Sequence, residues 1–239
     1  MKNSLFKVLF LTILCLGTAP AEKMDINEHD KDYDQKNPPA YQKNLPQLYV
    51  CGDSISVGYT PYLKTELKGA ISVVHRKDLR KLFPHIAPKL RYSGMAHSLI
   101  ALTKAVLESD DYHPQYLLLN CGLHDIVRGG ANLKKYEVNL TTIIKMAEKH
   151  KVQLIWITTS PKATGHGQNK KIIQFNAKAR SLMKKHQVPV IDLHKETLSL
   201  FKKHGDAQII KKDRVHFTPL GYKQQAAYIA TDLRKVLKK

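Results

Sequence analysis

Apolar residues in this chain come in short unbroken runs separated by longer amphipathic stretches. Leu48–Cys51, Ile71–Val74, Tyr116–Asn120, Leu154–Thr158 and Val188–Ile191 are too short for helices and lack the polar alternation of half-exposed strands. They predict strands buried on both faces. Between them the period changes. In 136–149 the apolar set is Tyr136, Leu140, Ile143, Ile144 and Ala147, and near the C-terminus it is Ala226, Ile229, Ala230, Leu233 and Leu237. Spacings of three and four place each set on one buried helical face. Strand and helix alternating in this way predict parallel pairing through right-handed crossovers, hence an α/β fold: a three-layer α/β/α sandwich on a five-stranded parallel sheet. No internal repeat or second domain is visible. In such a sheet, ligands bind beyond the carboxyl ends of strands where the strand order reverses. The loops to inspect follow Cys51, surround Gly94, follow Cys121, follow Thr158 and precede the last helix.

The first 44 residues do not follow this pattern. Lys2 and Lys7 flank the start of a short apolar run, Leu5–Leu16, and Ala19-Pro20-Ala21 supplies the small-x-small pattern of a signal-peptidase site. About 12 apolar residues are short for a bilayer span, so residues 1–21 read as a signal peptide cleaved near Ala21, and the protein as exported, periplasmic or secreted. Residues 22–44 hold six acids and four lysines without apolar periodicity and read as a disordered acidic and polar linker. The domain then spans 45–239.

Composition sharpens this picture in two ways. Of 239 residues, 43% are apolar and 25% charged, which suits a domain with a real core. Three cysteines are too few for a disulfide scaffold and show no paired zinc spacing. The formal charge is +19, and because residues 1–44 contain six basic and six acidic side chains, all of that excess lies on 45–239. Such a charge suits an acidic partner. Basic pairs such as Lys134/Lys135, Lys184/Lys185 and Lys202/Lys203 are scattered along the chain without aromatic interleaving, which argues against nucleic acid.

Two segments carry chemistry. Gly52-Asp53-Ser54-Ile55-Ser56 directly follows the first strand. A serine at a tight strand-to-helix turn exposes its hydroxyl at the sheet edge and offers its N–H to an oxyanion; the same serine would also make an ordinary helix N-cap. Asp213-Arg214-Val215-His216 precedes the final helix. At this spacing a carboxylate can fix the imidazole tautomer and leave the other ring nitrogen as a general base, although an unremarkable surface loop has the same composition.

Taken together, the early Gly-Asp-Ser and the late Asp-x-x-His resemble the GDSL, or SGNH, family of serine hydrolases over about 45–239. Ser93-Gly94 stands where that family has an oxyanion-hole glycine, and Gly122-Leu123-His124-Asp125 stands where it usually reads Gly-x-Asn-Asp. The resemblance implies a flavodoxin-like sandwich and a cofactor-free and metal-free serine esterase. It makes Ser54 the nucleophile, His216 the base and Asp213 its orienter. The N–H groups of Ser54 and Gly94, with His124, would form the oxyanion hole, supported by Gly52, Asp53, Gly122 and Asp125. His124 departs from the family's asparagine; a neutral imidazole still donates one hydrogen bond, and Asp125 beside it can orient the ring. In the resembled fold Cys51 and Cys121 end neighbouring strands, either as buried thiols or as a disulfide permitted by export. Lys211, Lys212 and Arg214 flank the Asp-x-x-His segment and are the candidate substrate contacts. The glycine-bearing loops at 129–130 and 164–167 border the same cleft.

Export and a basic body direct the reading to removal of short acyl groups, acetyl above all, from an acidic polysaccharide. A lysophospholipase or thioesterase of the same family is an alternative. Another is a glycan- or polyanion-binding protein that keeps the fold without turnover.

Overall fold

The computed structural model describes residues 41–86 and 93–237. The expected signal peptide and most of the expected linker lie outside the described residues. The packed body reaches back at least to Tyr41, whose ring meets Phe83 edge-on at 5.3 Å, and to Gln42, whose N–H donates to Ser72 Oγ at 3.0 Å. These contacts lie ahead of the boundary read at residue 45.

The five apolar runs form five strands: β1 (Gln47–Gly52), β2 (Ser72–His75), β3 (Tyr116–Asn120), β4 (Gln153–Ile157) and β5 (Val190–Ile191). All pair in parallel, in the order β2-β1-β3-β4-β5. Leu48, Tyr49, Val50 and Cys51 in β1 and Leu117–Leu119 in β3 are completely buried, as expected where both sheet faces are covered. Strand edges move slightly from expectation. β5 begins at Val190 rather than Val188, because Pro189 has no N–H for a ladder, although its carbonyl accepts from Trp156 at 2.9 Å. At the other edge, β2 extends through His75, a polar residue with no exposure.

In chain order the helices are α1 (Ser54–Glu66), α2 (Leu79–Leu82), α3 (Ala96–Leu107), α4 (Leu123–Val127), α5 (Leu133–Lys149), α6 (Asn169–Lys185), α7 (Leu193–His204), α8 (Asp206–Ile209) and α9 (Pro219–Leu237). In α5, Tyr136, Leu140, Ile143, Ile144 and Ala147 are buried, and in α9 Ala226, Ile229, Ala230 and Leu233, as the apolar spacing requires. Helix α9 packs on α1 and α7, while α5 packs on α3 and α6, giving the two outer layers. Strand order reverses between β1 and β3. That crevice is where a doubly wound sheet binds ligands.

Candidate active site

Three loops at the carboxyl ends of the central strands meet in the crevice. The first is the β1–α1 turn. Asp53 occupies the N-cap of α1, and its carboxylate accepts from Ile55 N at 3.0 Å. Ser54 is therefore the first helical residue and not the cap, which leaves its hydroxyl available to the crevice. Gly52 is required here by space: a Cβ would lie 2.9 Å from the carbonyl oxygen of Asn120 and 2.8 Å from Ser56 Oγ.

The loop before α9 supplies the partner. His216 Nε2 lies 2.9 Å from Ser54 Oγ, and His216 Nδ1 lies 2.7 Å from Asp213 Oδ2. A carboxylate only accepts, so Nδ1 carries the proton and Nε2 is the acceptor facing the serine hydroxyl. Asp213 Oδ1 also accepts from the backbone N–H groups of Val215 and His216, each at 2.9 Å. Burial disfavours the Asp213 charge, but these N–H donors and the His216 ring outweigh it and hold its pKa below the ordinary carboxylate value. The loop is closed on itself by Lys211 N donating to His216 O at 2.7 Å, with Arg214 at a positive φ of 63°.

The third loop follows β3. Gly122 has φ 129°, and a side chain there would strike Thr159 Oγ1. His124, in α4, lays its ring against Gly94: a Cβ on Gly94 would fall 2.4 Å from His124 Cδ2, and Gly94 has φ 75°. Burial, then the charges of Arg128, His216, Arg76 and Lys162, push the His124 pKa down to about 4, so the ring is neutral at pH 7 with a single N–H. Asp125 does not turn toward this ring. Its two oxygens accept from Ala96 N at 3.2 and 3.0 Å, which caps α3 and ties the Gly94 loop to α4. Its support of the site runs through that loop rather than through His124.

Cys51 and Cys121 are free, buried thiols. Burial raises the Cys51 pKa to about 11 and that of Cys121 well above the ordinary thiol value, so neither is a thiolate.

The flanking basic residues divide into two groups. Lys211, Lys212 and Arg214 line a cavity of about 810 Å³ with Ala163, Thr164 and Ile210. Asp213 forms part of its wall, whereas Ser54 and His216 do not line it. The Arg214 guanidinium is drawn back to the Thr164 carbonyl at 3.1 Å, so its hold on the 164–167 loop is its visible role. The second group escaped the sequence reading. Arg76, directly after β2, donates Nε–H to Gly52 O at 3.0 Å, and Lys162, in the loop after β4, is buried and bonded to Gln168 Oε1. With Arg128 they help to hold the His124 pKa down. Their positions after strands were legible; their convergence depended on the strand order.

A family model described as "GDSL-like Lipase/Acylhydrolase family" matches residues 50–224. Among solved structures the chain is similar to the esterase EstA from Pseudoalteromonas sp. inhibited by monoethylphosphonate. The TM-score is 0.62 at 14% identity, over 81% of this chain and 99% of that one. It is similar also to the acetyl xylan esterase AlAXEase, with a TM-score of 0.61 at 18% identity over 78% of this chain and 99% of that one. A lipolytic G-D-S-L protein from Veillonella parvula gives 0.59 at 18% identity, over 79% of this chain and 98% of that one. No curated protein matches the chain. At these identities the structural likenesses speak for the fold, and the family match reaches from β1 into α9.

Proposed function

Because the chain belongs to the GDSL-like lipase/acylhydrolase family, we propose that it is a serine ester hydrolase that removes short acyl groups, acetyl above all, from an acidic polysaccharide. The observation that carries the mechanism is the hydrogen-bonded series from Ser54 Oγ through His216 to Asp213, at 2.9 and 2.7 Å. Ser54 Oγ attacks the acyl carbon while His216 Nε2 takes its proton, and Asp213 stabilises the imidazolium that forms. The tetrahedral oxyanion is held by the N–H groups of Ser54 and Gly94 and by the His124 N–H. His216 then returns the proton to the departing alcohol, leaving an acyl-serine. A water molecule, deprotonated by the same nitrogen, releases the acid and restores the serine.

The choice of an acidic substrate rests on charge. Arg76, Arg128 and Lys162 lie close enough to His124 to lower its pKa, and Lys211 and Lys212 line the adjoining cavity. A carboxylate-bearing sugar beside the scissile ester is attracted by this field. Deacylation of a glycan by this fold has a counterpart in the neighbouring acetyl xylan esterase. Export through the 1–21 segment belongs to the same reading; no helix among the described residues is long and apolar enough to cross a membrane.

The test is labelling by a fluorophosphonate probe together with p-nitrophenyl acetate hydrolysis, in the wild type and Ser54→Ala. The expected result is labelling and turnover in the wild type, with at least about a thousandfold loss of kcat and no labelling in the variant. A wild type that neither labels nor cleaves any short acyl ester rejects the reading. The second reading, a polyanion-binding protein without turnover, is motivated by His124 standing in place of the family's asparagine donor. It predicts salt-dependent glycan affinity that survives Ser54→Ala in a protein inert toward esters.

A further inference from the structure

The end of β2 is built into the turn that aims Ser54. His75 is completely buried, and its Nε2 lies 3.0 Å from Ser56 Oγ, 19 residues away in sequence. The backbone N–H of Lys77 points at His75 Nδ1 at 3.2 Å. An N–H can only donate, so Nδ1 offers its lone pair and the ring proton sits on Nε2, directed at Ser56 Oγ. The Ser56 hydroxyl in turn donates a hydrogen bond to the carbonyl oxygen of Asp53 at 2.7 Å. That carbonyl belongs to the peptide whose nitrogen is Ser54's.

The backbone that carries the ring is firmly held. His75 N donates to Asp78 Oδ2 at 2.8 Å, and Lys64 Nζ pairs with the same oxygen at 2.8 Å in a nearly fully buried contact. The neighbouring Arg76 donates to Gly52 O. Burial, with the Arg76, Lys64 and Lys77 charges, keeps the His75 pKa well below the ordinary histidine value, so the ring stays neutral as this series of donors and acceptors demands. Arg76 on Gly52 O, and His75 through Ser56 on Asp53 O, tie the turn to the end of β2.

We propose that His75 and Ser56 are a positioning pair for the nucleophile: the directed series Lys77 N–H to His75, His75 to Ser56, and Ser56 to the Asp53 carbonyl sets the Ser54 peptide so that Oγ meets His216 Nε2 at bonding distance. Neither residue touches substrate or exchanges protons with it. The proposal rests on the serine-hydrolase reading above. A displaced nucleophile loses rate rather than binding, because the acyl group is still admitted but meets a misaligned oxygen.

The experiment measures kcat and KM for p-nitrophenyl acetate, the rate of fluorophosphonate labelling and Tm. It compares the full-length wild type with Ser56→Ala, His75→Ala, the double variant and His75→Gln. Expected are falls of about 10- to 100-fold in kcat and labelling rate for each alanine variant, with KM within about twofold. The double variant should be no worse than the more impaired single one, because both remove the same series. His75→Gln, which can place an amide N–H where Nε2–H was, should recover most of the rate and leave the acid limb of the pH profile unmoved. If His75→Ala does not fold, Ser56→Ala, which removes one oxygen, and His75→Gln carry the test. Retention of kcat within twofold in Ser56→Ala overturns the proposal, and so does a multiplicative loss in the double variant. A shifted acid limb in His75→Gln also overturns it, since the ring would then be a proton carrier. A wild type without labelling or turnover removes the hydrolase reading and this proposal together, whereas an active wild type with unimpaired variants removes the positioning pair alone.

Discussion

At the residue scale, Asp53 decides what its neighbour is free to do. By capping α1 itself it releases the Ser54 hydroxyl from the capping role that serine would otherwise take. This division of labour is not readable from Gly-Asp-Ser, because either side chain can cap. The carboxyl that does the capping is fully buried, and that burial raises its pKa to about 7, partly offset by the Ile55 N–H and Arg76. In the unfolded chain the group titrates near 3.9. Between roughly pH 4 and 7 the folded state therefore holds a proton that the unfolded state has released, and stability falls as pH rises through that window. Asp53→Asn keeps an acceptor for Ile55 N and removes the titration. Its Tm relative to the wild type should be higher at pH 8 than at pH 5 by a few degrees. Thermal melts at the two pH values check this, and an equal difference at both contradicts it.

Among the elements, α3 and α4 show how far the sequence could be read. The apolar runs identified the strands because a sheet covered on both faces leaves no polar alternation, and the serine, histidine and glycine blocks fell on loops already marked by the sheet architecture. The links between elements were illegible. Met95 sits at the N-cap of α3 with no side-chain capping bond, and the first helical N–H, that of Ala96, is capped instead by Asp125, 29 residues further on. His75 and Ser56 pair only because the register sets Val50 beside His75. Such partners depend on strand order and register, which no local pattern states. If Asp125 secures the Gly94 loop against His124, Asp125→Ala should cost about 1–2 kcal/mol in a urea melt. It should also lower kcat on p-nitrophenyl acetate, and Asp125→Asn, which retains an acceptor for Ala96 N, should recover part of both. An Asp125→Ala protein with lost stability and unchanged kcat would separate the cap from the site.

For the molecule as a whole, the sheet order brings the loops after β2, β1, β3 and β4 side by side, so a cation, the serine, an imidazole and a second cation follow one another across the sheet edge. Most of the +19 excess is scattered over the surface, but Arg76 and Lys162 bring part of the positive charge to this edge. Charge attraction of this kind is screened by salt. The KM for an acetylated uronic-acid polymer should rise by about tenfold between roughly 20 mM and 500 mM sodium chloride, while the KM for neutral p-nitrophenyl acetate stays level. Equal salt responses for the two esters would detach the cations from substrate choice.

Ser54 and His216 stand 162 residues apart, and α1, which begins at the serine, packs on α9, which follows the histidine loop. Neither end of the domain holds half an active site that could work early. The contact between them is among the most distant in sequence, and contacts of that kind close late in folding. A chain still emerging from a ribosome has Ser54 but not yet His216. On the proposed mechanism hydrolysis begins only when the last helix docks, so activity also certifies that the domain has folded to its last element.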